Sequence, residues 1–188
     1  MTKTPILFAS AIALGFAFSG SANAAVTVIG GGMAEACSQA AIAGESETRF
    51  EDVCTVALES EFMNSRDRAG TFVNRGVLKL RRGTYPAAAK DFDQAVRLKP
   101  DLGEAYVNRG AAAIGQHQYE ASLTDINRGL ELGLDEPAKA YYNRALAYEG
   151  LDNMKAAYFD YQKASEIKPD WEAPKAQLSR FSVSRPGS

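Results

Sequence analysis

An all-α solenoid of antiparallel helix pairs is the fold class this sequence predicts, and three observations predict it. An aromatic residue, a spacer and Asn-Arg recur as "FVNRG" (72–76), "YVNRG" (106–110) and "YYNRA" (141–145). Asn74 and Asn108 lie 34 residues apart and Asn108 and Asn143 lie 35 apart, a period that marks a repeat architecture. The other half of each unit recurs too: "DFDQAVRLKPD" (91–101) returns as "DINRGLELGLD" (125–135) and "DYQKASEIKPD" (160–170). Both halves have helical spacing. Tyr106, Gly110 and Ala113 share one face, and Ile126 and Leu130 share another. Turn signals at Gly83-Thr84, Gln116-His117 and Leu151-Asp152 divide each unit into two helices.

Residues 1–24 have the order of a secretory signal: Lys3, an apolar run from Ile6 to Phe18, then small residues at Ala22 and Ala24. Cleavage is expected after Ala24, and the apolar run is too short to span a bilayer comfortably. The expected product is exported, periplasmic or secreted, with no stable membrane anchor. Residues 25–32 read as a flexible lead-in. "VTVIGGGMAEA" (26–36) has the look of a dinucleotide-binding turn, but Glu35 fills the slot that needs a third small residue, and no alternation of strands and helices follows. Residues 33–68 form a degenerate helical hairpin, "MAEACSQAAIAG" followed by "ETRFEDVCTVALESEF". The complete units are 69–102, 103–136 and 137–171. A capping helix is expected at 172–183, with Asp170 as its cap and Pro174 in its first turn. Ala173, Leu178 and Phe181 would cover the apolar end of the array, with Lys175 and Arg180 toward water. Residues 184–188 read as a tail.

A 34-residue helix–turn–helix unit resembles the tetratricopeptide repeat (TPR) family, across residues 69–171. The first unit carries Phe72, Gly76, Ala88, Phe92, Ala95 and Pro100 in the family's pattern. The third carries Tyr141, Tyr148, Ala157, Tyr161, Ala164 and Pro169, with Ala145 where Gly is usual. The middle unit keeps Tyr106 and Gly110 but places Ser122, Ile126, Gly129 and Leu134 in later slots. The resemblance implies a right-handed solenoid with a concave groove for a peptide or protein segment. Aligning Ala57 with Ala95 puts Cys54 in the bulky slot of a degenerate repeat, with Cys37 on the facing helix. Two cysteines so placed in an exported chain argue for a disulfide.

The family's usual Leu slot holds Arg75, Arg109 and Arg144. An unpaired buried charge is costly, and Asp91, Asp125 and Asp160 each follow their Arg by 16 residues. In an antiparallel hairpin the two slots oppose each other, so an Arg–Asp pair is expected inside every repeat. Each Asn is rotated about 100° from its Arg. By resemblance that slot faces the groove, where Asn74, Asn108 and Asn143 would form an exposed row similar to the asparagine ladder of a TPR superhelix. An amide offers a donor and an acceptor to an extended main chain; the competing reading is an inherited surface residue. The resemblance adds Val107 and Tyr142 as apolar groove floor and Lys139 at one edge. Asn74, Asn108 and Lys139 also match slots of the carboxylate clamp in chaperone-binding TPR domains, although Gly70 and Asn143 stand where that clamp wants Lys and Arg.

Composition excludes other classes. Without Lys3 the 21 basic residues become 20 against 23 acidic ones, a poor electrostatic match to nucleic acid. The cysteine spacing fits neither CxxC redox nor zinc patterns, and His117 is the single histidine. No nucleophile, base and orienter are grouped, and no metal or cofactor is expected. The function expected is a non-enzymatic interaction module or adaptor. Alternatives are an accessory subunit of an envelope enzyme, secretion or proteolysis complex, or a partial carboxylate clamp. Partner identity and oligomeric state are not encoded in any of these patterns.

Overall fold

The computed structural model describes residues 7–8, 23–28, 32–181 and 183–184. The expected signal segment therefore lies outside the described residues apart from 7–8 and 23–24, and most of the expected tail lies outside them as well. Nine helices are present among the described residues: α1 (Met33–Ala43), α2 (Thr48–Ser60), α3 (Ser65–Arg81), α4 (Tyr85–Leu98), α5 (Gly103–Gly115), α6 (Tyr119–Leu132), α7 (Pro137–Gly150), α8 (Met154–Ile167) and α9 (Glu172–Leu178). Two short strands, β1 (Leu7–Phe8) and β2 (Val183–Ser184), pair antiparallel. No described helix is long and apolar enough to cross a membrane.

Hairpins α3–α4, α5–α6 and α7–α8 stack in chain order, with α1–α2 before them and α9 after them. The stacking follows from size matching. A Cβ on Gly76 would meet the Phe92 ring at 2.5 Å, and one on Gly110 would meet Ile126 Cγ1 at 2.7 Å. In the third hairpin Ala145 and Tyr161, both fully buried, take the same slots. Tyrosines then join neighbouring units. A Cβ on Gly115 would meet the Tyr85 ring at 2.5 Å, and one on Gly150 would meet the Tyr119 ring at 2.4 Å. Backbones approach closely wherever glycine stands, so large rings can fill the space between helices at interior density.

The turn inside each repeat is one device used three times. Gly83, His117 and Asp152 have φ of 74°, 59° and 56°. Thr84, Gln118 and Asn153 each donate their N–H to the carbonyl five residues back, on Lys79, Ala113 and Tyr148, at 3.0, 2.8 and 2.8 Å. A left-handed residue closing that bond is a standard helix ending. The same turn geometry thus closes all three hairpins.

Several boundaries differ from the sequence reading. Helix α3 starts at Ser65 rather than near 69, because the Asn64 side chain accepts the Asp67 N–H at 2.9 Å and caps it there. The capping helix spans Glu172–Leu178 rather than 172–183, with Trp171 rather than Asp170 at the cap position. Leu178, Phe181, Ala173 and Trp171 pack on the Tyr142–Tyr161 cluster. Lys175 is exposed, and exposed Arg180 reaches Glu149 at 3.5 Å. Residues 23–28, read as the end of the signal and the start of a flexible lead-in, lie outside any helix and are seated against the array through main-chain hydrogen bonds. At the glycine-rich stretch, Glu61 accepts the N–H of Met33 at 2.6 Å and of Ala34 at 3.1 Å. A carboxylate of the chain itself thus occupies the helix N-terminus that a dinucleotide phosphate would need.

Cys37 and Cys54 are joined in a disulfide, linking α1 to α2 with 17 residues of separation. Both are fully buried beside Leu78 of α3. Closing so short a loop contributes about 2–4 kcal/mol through the unfolded chain. Reduction should lower the melting temperature accordingly, measured by circular dichroism with and without reductant. An unchanged midpoint would show that the hairpin is held by packing alone.

Candidate functional site

The motif that opens each repeat builds two surfaces at once. In all three repeats the Arg Nε and Nη2 donate to both oxygens of the Asp 16 residues on. The distances are 2.9 and 2.7 Å for Arg75–Asp91, 2.7 and 2.7 Å for Arg109–Asp125, and 2.7 and 2.9 Å for Arg144–Asp160. Nη1 points the other way, into the preceding unit. It donates to Thr55 Oγ1 at 3.0 Å from Arg75, to Asp93 Oδ1 at 2.9 Å from Arg109 and to Asn127 Oδ1 at 2.8 Å from Arg144. The aromatic three residues before each Arg lies beside the guanidinium, at 5.5 Å for Phe72, 5.4 Å for Tyr106 and 5.2 Å for Tyr141. Donation to Asp125 raises the Arg109 pKa against the opposing effect of burial, and donation to Asp160 does the same for Arg144.

Beside the forks, Asn74 and Asn108 meet chain instead of solvent. The Asn108 side chain accepts the Ala24 N–H at 3.1 Å, and its amide donates to the Ala24 carbonyl at 2.7 Å. Asn74 does the same for Val26, at 2.8 Å in both directions. Ser38 of α1 continues the row: its Oγ accepts the Val28 N–H at 3.3 Å and donates to the Val26 carbonyl at 3.0 Å. At the other end Lys139 Nζ donates to the Asn23 carbonyl at 3.0 Å and pairs with Glu136. The hydrogen bond from Lys139 holds the Glu136 carboxyl below the usual range.

Residues 24, 26 and 28 thus present their main chain to the helices, as one edge of a strand does. Each side-chain amide stands in for a residue of a partner strand. Val26 and Val28 lie over Gly70, where a Cβ would approach a γ-carbon of each at 3.1 Å. A Lys at position 70, as the clamp requires, would collide with this seating.

Three expectations for this site change. Asn74, Asn108 and Asn143 are fully buried rather than exposed, the first two beneath residues 23–28. Val107 does not floor the groove. It packs inside its own hairpin, where a Cβ on Gly129 would meet its Cγ2 at 2.5 Å. Tyr142 stacks at 5.4 Å on Tyr161 and 4.9 Å on Trp171 within the join to the cap. Ser38 was missed, although it precedes Asn74 by 36 residues, close to the repeat period. Among the described residues no group of three or more His, Cys, Asp or Glu could hold a metal ion.

A stack of Arg-linked helix hairpins with an amide-lined groove defines a helical-repeat scaffold. The comparisons name the repeat: a tetratricopeptide repeat is matched in the third hairpin. The tetratricopeptide repeat family model matches residues 138–170. The Hsp70-Hsp90 organizing protein of Triticum aestivum is 34% identical over 97 residues, 52% of this chain and 16% of that protein. The chain thus spans about one sixth of this relative's length. MamA 41-end from Desulfovibrio magneticus RS-1 has a TM-score of 0.58 at 20% identity, covering 79% of this chain and 82% of that one. The second TPR domain of human RPAP3, solved with the HSP70 peptide SGPTIEEVD, has a TM-score of 0.52 at 20% identity, covering 58% and 90%. These likenesses establish the solenoid fold.

Arg109→Leu should destabilise by about 2–4 kcal/mol, because it strands the largely buried Asp125 and cuts the tie to Asp93. Adding Asp125→Asn should recover part of the loss in a denaturant-unfolding double-mutant cycle. Simple additivity would show that the observed fork contributes no coupling.

Proposed function

We propose that the chain is a non-enzymatic interaction module that holds an extended protein or peptide segment in its concave groove. One observation carries this reading: Asn108 and Asn74 grip successive alternate residues of an extended chain by both N–H and C=O. Such a grip is indifferent to side chain, so it selects backbone conformation first. The relatives agree with the class, one being an Hsp70-Hsp90 organizing protein and another a TPR domain in complex with an HSP70 peptide. The partial-clamp reading is the weaker one. Of its slots Asn74, Asn108 and Lys139 hold main-chain groups here, while Gly70 carries no charge and seats two valines.

The triple variant Asn74→Ala, Asn108→Ala, Asn143→Ala should lose its partners in crosslinking from intact cells. Each lost amide should weaken binding by about 1 kcal/mol. Partner recovery at wild-type yield would overturn the reading. Because the asparagines are buried, this variant should also melt below wild type, so the crosslinking is compared at a temperature where both are folded.

We further propose that the protein works outside the cytoplasm, on the signal-like order of residues 1–24. Protein isolated from cells should begin at Ala25. An intact Met1 start on protein recovered from the cytoplasm would contradict export.

A further inference from the structure

We propose that residues 23–28 are a built-in occupant of the groove, a competitor for the partner and a template for its chemistry. This rests on the groove reading above. The segment runs antiparallel to the array: Asn23 meets Lys139 on α7, Ala24 meets Asn108 on α5, Val26 meets Asn74 on α3 and Val28 meets Ser38 on α1. Two residues advance from α5 to α3 and again from α3 to α1. Alternate residues of a strand point their main-chain groups to the same side, which is the pattern Ala24 and Val26 show toward Asn108 and Asn74. A helix cannot substitute, because its N–H and C=O groups are already bonded to each other.

The occupied groove also states which side chains it accepts. Ala24 and Val28 are buried, Val26 is half-buried and Thr27 is exposed. Gly70 leaves room for β-branched groups at 26 and 28 and for little more. The partner in trans is therefore an extended segment of the form Ala-x-Val-x-Val, small or β-branched at alternate positions.

A tethered segment acts at an effective concentration on the order of millimolar, so a free partner competes poorly while residues 23–28 remain docked. Cleavage after Ala24, expected from the sequence, would remove the contacts to Asn108 and Lys139 and leave those to Asn74 and Ser38. Export would then open the groove over the second and third repeats only.

The test uses the full chain and a fluorescent peptide of residues 23–28, Asn-Ala-Ala-Val-Thr-Val, read by anisotropy. Proline at 24 and 26 deletes the two N–H donors that reach the asparagines. The Ala24→Pro, Val26→Pro variant should bind the probe at least tenfold more tightly than wild type, and adding Asn74→Ala and Asn108→Ala should abolish that gain. Equal, asparagine-dependent affinity in wild type and the proline variant would overturn self-occupancy while leaving the groove reading intact. Absence of binding to both, or binding that survives loss of the asparagines, would overturn both.

Discussion

The three-way bond of one guanidinium sets the geometry on which everything else in this molecule depends. Arg109 holds Asp125 of its own hairpin with one edge and Asp93 of the preceding hairpin with the other. Because Arg is planar and its donors are fixed, the contact sets orientation as well as distance. Arg75 and Arg144 repeat it with the neutral acceptors Thr55 and Asn127. An apolar residue in that slot would pack the hairpin but would not fix one repeat on the next. Rotation between units is thereby restricted, and with it the spacing of residues next to the arginines.

Those neighbours are the asparagines. A strand tolerates little error, since its accepting and donating groups recur every two residues. A solenoid whose repeats could slide would present amides at variable spacing and hold nothing extended. The Arg forks on one face and the Asn row beside them are therefore parts of one device, and adjacency in sequence is what couples them. The disulfide between α1 and α2 extends this rigidity to the degenerate hairpin, where Ser38 provides the rung beyond Asn74.

Much of this was legible in the chain. The repeat period fixed the hairpins, and the constant 16-residue interval between Arg and Asp implied the fork. Matched charge at a packing slot has few other solutions. The third arm of each arginine was not legible, because it depends on how units stack and because its acceptors differ in each repeat. The occupant was hidden for another reason. Residues 23–28 are held chiefly through their main chain, and their small and β-branched side chains match no motif of the repeat, so the stretch reads as a linker. Val107 and Tyr142 were misplaced because family analogy assigned them to the groove. Gly129 opens a hole that Val107 fills from within its own hairpin, and Trp171 draws Tyr142 toward the cap.

The central claim is that side-chain amides of the array hold an extended backbone, and amide hydrogen exchange at Val26 tests it most directly. Val26 lies outside any helix, and the acceptor for its N–H is Asn74 Oδ1. Slow exchange at Val26 in the intact chain, accelerated by Asn74→Ala while α3 and α5 amides keep their protection, is the expected result. Exchange at the rate of an unstructured peptide in the unmutated protein would contradict it.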